Sequence, residues 1–300
     1  PSLTELLFAL DLGAQVVGRT GFCIHPRAAV RTVPKVGGTK DVDLARLRAL
    51  APTHVIINVD ENTRACEQVL REFVPHVIVT HPNAPEDNCA LYALLGGVFD
   101  RRAAAQALCD ALERELEACR ALAAARPRER VLYLCWKDPW MTVAADTYIA
   151  RTLAAVGWDV LHPAGGFVGA ARYPAIDLEA DVARVDRVLL SSEPFRFDAG
   201  HVRELAACFP AARVQWIDAE MTSWYGVRTP GTGTTVRSLT NVMVLFTEPV
   251  SGVVAADLLI NDTPEAVVIP IAASHYLFAF PQPPLGTVRL AWAPGHDIRD

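Results

Sequence analysis

The stretch DRRAAAQALCDALERELEACRALAAAR, residues 100–126, decides how the rest of the chain is organised. It is rich in Ala, Leu, Glu and Arg, which favour helices most strongly. Apolar residues recur along it at helical spacing, which predicts one buried stripe: Leu108, Leu112, Leu116, Cys119 and Leu122. At 1.5 Å per residue such a helix spans about 40 Å, the width of a small domain. We therefore predict one long helix, ended by Pro127, that connects the parts of the chain on either side.

The chain on either side of this helix shows the same alternation of helices and short apolar strands. HVIIN and HVIVT precede the helix, and VLYLCW, RVLLSS and VQWID follow it. Such short apolar runs between helices predict parallel strands that are covered on both faces. The segment DLARLRALAPTHVIIN before the helix also resembles DLEADVARVDRVLLS after it. We predict an N-terminal α/β lobe at residues 1–99, the backbone helix at 100–126 and a second α/β lobe at 127–228.

The composition changes after residue 228. A Thr/Gly-rich stretch, TPGTGTTVRS, is followed by short apolar or alternating runs between Pro, Gly and Asn-Asp turns. No long helical pattern follows. We predict a small β module, similar to one part of a sandwich, at residues 229–300.

Charge and composition exclude several classes of function. The net charge is −6 and Lys and Arg are not clustered, which argues against nucleic-acid binding. No apolar run approaches the roughly 20 residues of a membrane span, and no signal peptide is visible. The seven cysteines form no CxxC motif, and their odd number favours free thiols over a disulfide framework. This pattern leans weakly towards a reducing compartment.

The sequence carries few signals of an enzyme. VGGTKD lacks the spacing of a phosphate-binding loop, and neither GxSxG nor HExxH occurs. His25 lies close to Cys23 in sequence, but no second pair has metal-ligand spacing. We predict no catalytic residues and no metal site.

A stronger signal is the set of side chains at the predicted carboxyl ends of the strands, where open α/β sheets bind their ligands. Large aromatic residues fall there: Phe22, Trp136, Trp140, Phe195, Trp224 and Tyr225. Polar residues accompany them: Asn58, Asp60, Lys137, Arg196 and Glu220. An aromatic-walled cleft with a few polar anchors suits a large, partly planar ligand. We expect stacking and apolar burial to bind that ligand, with Lys137, Arg196 and Asp60 orienting its polar edges.

Several segments, taken in order, resemble one protein family. They are PSLTELLFALDLGAQVVGRT, VPKVGGTKDVDLARLRALAPTHVIINVDEN, the long helix and VLYLCWKDPWMTVAADTYIARTLAAVGW. The family is the substrate-binding proteins of ABC importers for vitamin B12 and ferric siderophores, and the resemblance covers residues 1–225. It implies two Rossmann-like α/β lobes that a long backbone helix holds nearly fixed. The β tail resembles the immunoglobulin-like modules of bacterial surface proteins.

The resemblance implies that the two lobes clamp the ligand between them. The first-lobe wall would be formed by Phe22, Gly38, Thr39, Asn58, Asp60 and Glu61. The second-lobe wall would be formed by Trp136, Trp140, Phe167, Phe195 and Trp224. The ligand would be cobalamin or a ferric chelate, with no covalent cofactor. Because Trp140 would be a buried aromatic anchor, we expect Trp140→Ala to weaken binding by a few kcal/mol.

The resemblance also implies a membrane partner and a location. Family members carry one acidic residue on each lobe, which docks arginines of the ABC permease. Glu179 matches the second-lobe acid, whereas the first-lobe position is Ala45, where neighbouring Asp43 could substitute. We expect a monomer in the periplasm or at the cell surface, although a cytoplasmic location stays open.

Three other functions remain open from the sequence. One is a cytosolic carrier of a corrinoid or metal chelate, which the abundant cysteines favour. Another is a metallocluster enzyme on the same scaffold, which would need cysteine ligands in the cleft, where only Cys23 and Cys135 are candidates. The third is an adhesive surface protein in which the β tail is the functional part.

Overall fold

The structure of the chain is a computed structural model. The structure describes residues 1–162, 172–179, 185–227, 241–246, 248–264, 267–281 and 290–299. Contacts divide the chain into two compact units, one of Pro1–Phe195 with Ile217–Thr232 and one of Arg196–Trp216 with Gly233–Asp300. Of the described helices, none is long and apolar enough to cross a membrane.

The first part of the chain is a β/α series. Its helices are α1 (Ser2–Ala9), α2 (Arg27–Val30), α3 (Leu44–Ala49), α4 (Arg64–Leu70) and α5 (Asp87–Val98). Its strands are β1 (His54–Asn58) and β2 (His76–Thr80). The two strands pair in parallel, with His54 opposite His76 and Asn58 opposite Thr80. The predicted strand at residues 15–18 is wrong, because a 3-10 turn, Gly13–Gln15, occupies its beginning and a single bridge at Arg19 follows.

The predicted backbone helix is confirmed as α6 (Arg102–Ala124). Its residues Ala105, Leu112 and Leu116 are buried in a cluster with side chains of α1 and α5. The predicted stripe ends too late, because Leu122 is 61 % exposed. The helix also contacts α7 (Tyr148–Ala155), which belongs to the following β/α series. It therefore connects the two lobes, as the sequence pattern predicts.

A disulfide that the sequence did not predict joins α5 to α6. Cys89 and Cys109 are bonded, with their Cα atoms 5.0 Å apart. The cysteines that remain free are Cys23, Cys66, Cys119, Cys135 and Cys208. The expectation of free thiols throughout is therefore wrong, and structural disulfides are rare in reducing compartments.

We expect reduction of this disulfide to lower the free energy of unfolding by about 3 kcal/mol, because the bond closes a loop of 20 residues in the unfolded chain. Cys109→Ser should have the same effect in urea denaturation. Cys119→Ser is the matched control, since Cys119 is a free cysteine on the same helix. Equal denaturation midpoints for the two variants would contradict this expectation.

The second lobe repeats the pattern of the first. Its described strands are β3 (Glu129–Leu134), β4 (Trp158–Val160), β5 (Arg187–Ser191) and β6 (Arg213–Ile217). Its helices are α7, α8 (Ala199–Cys208) and α9 (Ala219–Ser223). Within the sheet of this lobe, β3 lies between β4 and β5 and is parallel to both. Sequence analysis missed β4 and α9, which are only three and five residues long.

The β tail forms two small antiparallel sheets. Its strands are β7 (Asn241–Leu245), β8 (Leu258–Ile260), β9 (Val267–Ala272), β10 (His275–Ala279) and β11 (Leu290–Trp292). One sheet has the order β7-β10-β9 and the other pairs β11 with β8. Leu258 and Ile260 of one sheet share a buried cluster with Tyr276 and Phe278 of the other. The predicted β module is present, and its likeness to an immunoglobulin domain stays a prediction.

Candidate functional site

The loop at residues 20–26, which follows the single bridge at Arg19 and precedes α2, exposes two apolar side chains. Phe22 is 62 % exposed and Ile24 is 43 % exposed, whereas their neighbours Cys23 and His25 are buried. Exposed and buried side chains thus alternate along the loop. The buried ones hold the loop in place, and Phe22 remains on the surface. Exposed large apolar side chains that lie close together mark binding surfaces more often than single ones do. Phe22 is therefore accessible from the surface, and its role in ligand binding stays a prediction.

A buried arginine holds this loop closed. The guanidinium of Arg19 donates to the backbone carbonyls of Val30 at 2.8 Å, Cys23 at 3.1 Å and Val33 at 3.2 Å. The Arg19 side chain is 8 % exposed. These hydrogen bonds fasten both ends of the loop to one side chain, so the position of Phe22 depends on it.

The predicted first-lobe residues after β1 form one hydrogen-bonded turn. The buried Asn58 side chain donates to the Thr80 carbonyl at 3.0 Å and accepts from the Asp60 N–H at 2.8 Å. Asn62 donates to the Thr39 carbonyl at 2.8 Å, which ties the Gly-Gly loop to the same turn. Asn58 thus has its polar atoms occupied within the protein, and it shapes the turn that carries Asp60.

Thr39 and Glu61 line a cavity inside the first lobe, and Gly38 lies half-buried beside them in sequence. The preceding Gly37 has a φ of +92°, and a Cβ there would lie 2.4 Å from the Asp41 carbonyl. Only glycine fits this turn without strain.

Asp60 meets a cation that comes from the second lobe. Arg172 Nε lies 3.0 Å from an Asp60 carboxylate oxygen, and Arg172 also donates to the Asn83 side chain at 2.8 Å. His81 Nε2 lies 3.5 Å from the same carboxylate, and Asp146 lies 3.6 Å from the guanidinium. A mixed cluster of polar and charged groups therefore joins the two lobes at the ends of β1 and β2.

Tyr173, the next residue, contributes an aromatic ring at the same place. The side chain as a whole is 42 % exposed. The surroundings of its hydroxyl are partly shielded from water, which raises the pKa of that hydroxyl to about 12, and the nearby Asp60 carboxylate raises it further. The hydroxyl is therefore protonated at neutral pH and can donate a hydrogen bond. Arg172 and Tyr173 are functional candidates that sequence reasoning missed.

The second-lobe wall begins where β3 ends. Trp136 is 41 % exposed, and its ring meets that of Phe195 edge to face with the centroids 5.4 Å apart. The Lys137 ammonium lies 4.7 Å from the centre of the Trp140 ring. Four predicted site residues thus form two contacting pairs. Trp136 and Phe195 supply an exposed aromatic surface, and Lys137 holds its positive charge against Trp140.

Trp224 is placed differently from Trp136. It is 8 % exposed, its indole N–H donates to the Glu193 carboxylate at 2.9 Å, and its ring meets that of His25 with the centroids 5.7 Å apart. His25 Nε2 lies 3.2 Å from the buried Glu220 carboxylate. These residues connect the Phe22 loop to α9 beneath the surface.

The remaining predicted residues are not brought into this group. Phe167 lies outside the described residues, and Arg196 is exposed and belongs to the second compact unit. Asp43 caps α3 by accepting the Arg46 N–H at 2.9 Å, and Glu179 is exposed. Burial raises the pKa of the Cys135 thiol to about 11, so this thiol is protonated at neutral pH.

A cavity of about 460 Å³ lies in the first lobe, and its lining includes the predicted site residues Thr39, Asn58 and Glu61. Among the described residues, one cluster of three could ligate a metal, and it contains Cys89 and Cys109 of the disulfide with Glu113. The exposed aromatic side chains and the polar cluster at the strand ends therefore define the candidate site. Such a site can bind a ligand by stacking and hydrogen bonding.

The two α/β lobes, the bridging helix and an aromatic surface at the strand ends define a two-lobed binding protein. The chain belongs to the periplasmic binding protein family, whose model matches residues 1–190. Members of this family bind substrates for transport, and the chain is a substrate-binding protein, not an enzyme. A comparison with curated protein sequences finds no match.

Solved structures show the same fold. The periplasmic heme-binding protein RhuT of Roseiflexus sp. RS-1 in its apo form is 21 % identical with a TM-score of 0.66, over 76 % of this chain and 90 % of that one. The vitamin B12-binding protein BtuF of Vibrio cholerae is 16 % identical with a TM-score of 0.65, over 76 % and 89 %. A periplasmic heme-binding protein of Pseudomonas aeruginosa is 20 % identical with a TM-score of 0.63, over 76 % and 85 %. At these identities the likeness concerns the fold.

Proposed function

We propose that this protein binds a metal-centred, partly planar chelate and delivers it to an ABC importer. The candidates are a corrinoid such as cobalamin, a heme or a ferric siderophore. The observation that carries the proposal is the exposure of three aromatic side chains on the candidate site: Phe22, Trp136 and Tyr173. Such rings offer flat apolar surfaces that a macrocycle can cover.

Polar groups beside these rings would orient the ligand. Lys137 holds a positive charge against the second-lobe wall, and Tyr173 offers a protonated hydroxyl. Arg172 and Asp60 form an ion pair. An acidic ligand group would bind most favourably where it accepts hydrogen bonds from the Arg172 guanidinium alongside the Asp60 carboxylate. Carboxylate or amide edges of the chelate are therefore the groups we expect here.

Solved structures with this fold include proteins described as binding heme or vitamin B12, which supports a metal chelate as the ligand class. The Cys89–Cys109 disulfide favours the periplasm over the cytosolic carrier that the sequence left open. Glu179 and Asp43 are exposed, as docking to a permease requires, although Asp43 already caps a helix.

The test is a titration of the purified protein with hemin, cyanocobalamin and a ferric hydroxamate, following tryptophan fluorescence and ligand absorbance together. We expect saturable quenching at micromolar concentration or below with one of the three, at one ligand per chain. Free tryptophan at matched absorbance controls for nonspecific quenching and inner-filter effects. If none of the three gives a saturable response, the proposed ligand class is wrong.

A further inference from the structure

A carboxylate lies against the disulfide that joins α5 to α6. Glu113 Oε1 is 3.7 Å from the Cys109 sulphur and 4.0 Å from the Cys89 sulphur. Cys109 and Glu113 are four positions apart on α6 and share one face of that helix, while α5 supplies Cys89. Within the described part of the chain, this is the one group of three His, Cys, Asp or Glu side chains whose ligand atoms all lie within 4.8 Å of one another.

The closed disulfide gives the Glu113 carboxylate nothing to bind. Bonded sulphur atoms carry no proton to donate, and no ion pair among the described residues includes Glu113. Arg120 lines the same small cavity, but its guanidinium pairs with Glu86. A cation placed between the carboxylate and two thiolates would attract all three groups.

The distances fit a zinc ion. Zinc binds thiolates at about 2.3 Å and carboxylate oxygens at about 2.1 Å in a tetrahedron, so a bound sulphur and a bound oxygen lie about 3.6 Å apart. The two sulphur–oxygen distances, 3.7 and 4.0 Å, are close to this value. Two zinc-bound sulphurs lie about 3.8 Å apart, so the bond between the cysteines has to be broken first. The adjoining cavity of about 220 Å³ gives the sulphurs room to separate and a water room to act as fourth ligand.

We propose that Cys89, Cys109 and Glu113 form a zinc site that becomes available when the disulfide is reduced. A dithiol reductant breaks the S–S bond, supplies two electrons and two protons, and leaves as its own disulfide. The zinc ion then displaces one proton from each thiol, and both protons pass to the solvent. Thiolate ligands favour zinc over magnesium or calcium, which prefer oxygen. The bound ion connects α5 to α6 in place of the disulfide, and the site shares no residue with the candidate ligand site.

The experiment compares zinc binding by the reduced and the oxidised chain. The protein is reduced with dithiothreitol, freed of it under argon and titrated with zinc in competition with a chromophoric chelator. The oxidised chain is the control, because it keeps the same five free cysteines. We expect the reduced chain to bind about one ion more than the oxidised chain, with a submicromolar dissociation constant and the release of about two protons. Saturating zinc should raise the Tm of the reduced chain by about 5 °C.

Glu113→Gln distinguishes a three-ligand site from a simple pair of thiols. It keeps both cysteines and the size of the side chain but removes the carboxylate ligand, so we expect zinc to bind roughly tenfold more weakly or worse. Glu117→Gln is the matched control, since Glu117 is exposed one turn further along α6. It should bind zinc like the unmodified chain, whereas Cys109→Ser should lose the additional ion.

Cobalt gives a spectroscopic readout of the same site, because a thiolate-to-cobalt charge-transfer band reports sulphur ligation directly. The band should appear in the reduced chain and be absent from the oxidised chain and from Cys109→Ser. Equal zinc binding by the oxidised and reduced chains would overturn the site. Equal affinities of the two glutamine variants would overturn the role of Glu113. If reduction unfolds the chain, zinc has to restore the native circular dichroism spectrum, and failure to restore it would also overturn the proposal.

Discussion

Leu116→Ala in the backbone helix is expected to lower the free energy of unfolding by about 3 kcal/mol, the usual cost of removing a buried leucine side chain. Leu116 is 3 % exposed and lies in the cluster that joins α6 to α1 and α5. The substitution leaves a cavity between three helices that cannot easily close. Urea denaturation followed by circular dichroism measures the loss.

Leu122→Ala is the matched control for this variant. The residue types and the helix are the same, so the change in helix propensity is the same, but Leu122 is 61 % exposed. We expect a change of less than about 0.5 kcal/mol. Equal losses for the two variants would mean that α6 is not held by this buried face.

Much of the fold could be predicted from the sequence because local and nonlocal signals agree in it. α6 combines strong helix formers with a regular apolar stripe, and β1, β2, β3 and β5 are short apolar runs between helical segments. The misplaced end of the apolar stripe has a simple cause. The pattern continues to Leu122, but the α1 and α5 side chains that cover Leu112 and Leu116 do not reach it.

What could not be predicted depends on contacts between distant residues. Cys89 and Cys109 are twenty positions apart without a recognisable spacing, and only the packing of α5 on α6 brings their sulphur atoms together. The strand β4 has three residues, too few to show a period. The helix α9 begins at an Asp218 cap, a residue that the sequence analysis placed at the end of the strand VQWID.

The candidate site divides in the same way. Phe22 and Trp136 could be found because aromatic residues stand out in polar loops after predicted strands. Arg172 could not be found, since its partner Asp60 is 112 positions away. A weak signal did exist, an Arg-Tyr pair directly after the glycine-rich stretch GGFVGAA.

Two connections between the lobes bear on how the protein would bind its ligand. Arg172 joins Asp60 at the surface, and His25 joins Glu220 beneath it. Because these contacts and α6 connect the two lobes, we expect the lobes to separate little when the ligand binds. A site built on a rigid frame loses little entropy when it binds, so affinity should depend mainly on the exposed rings.

Trp136→Ala is therefore expected to weaken ligand binding about 30-fold, corresponding to about 2 kcal/mol for an aromatic anchor. Trp136 is 41 % exposed at the end of β3, and its ring lies at 72° to that of Phe195, so part of the Trp136 ring remains open to a ligand. The Trp140 ring is covered on one side by the Lys137 ammonium. We thus expect Trp140→Ala to have the smaller effect of the two, and a smaller one than the sequence alone predicts.

Trp292→Ala provides the control for this titration, because Trp292 is 38 % exposed and lies in the β tail, outside residues 1–190 that the family model matches. It removes the same side chain and the same fluorophore at a similar exposure. Its dissociation constant should equal that of the unmodified chain, measured by ligand absorbance so that the lost fluorescence does not interfere. If Trp136→Ala binds as tightly as Trp292→Ala, the second-lobe wall does not contact the ligand, and the rings of Phe22 and Tyr173 would have to account for binding without it.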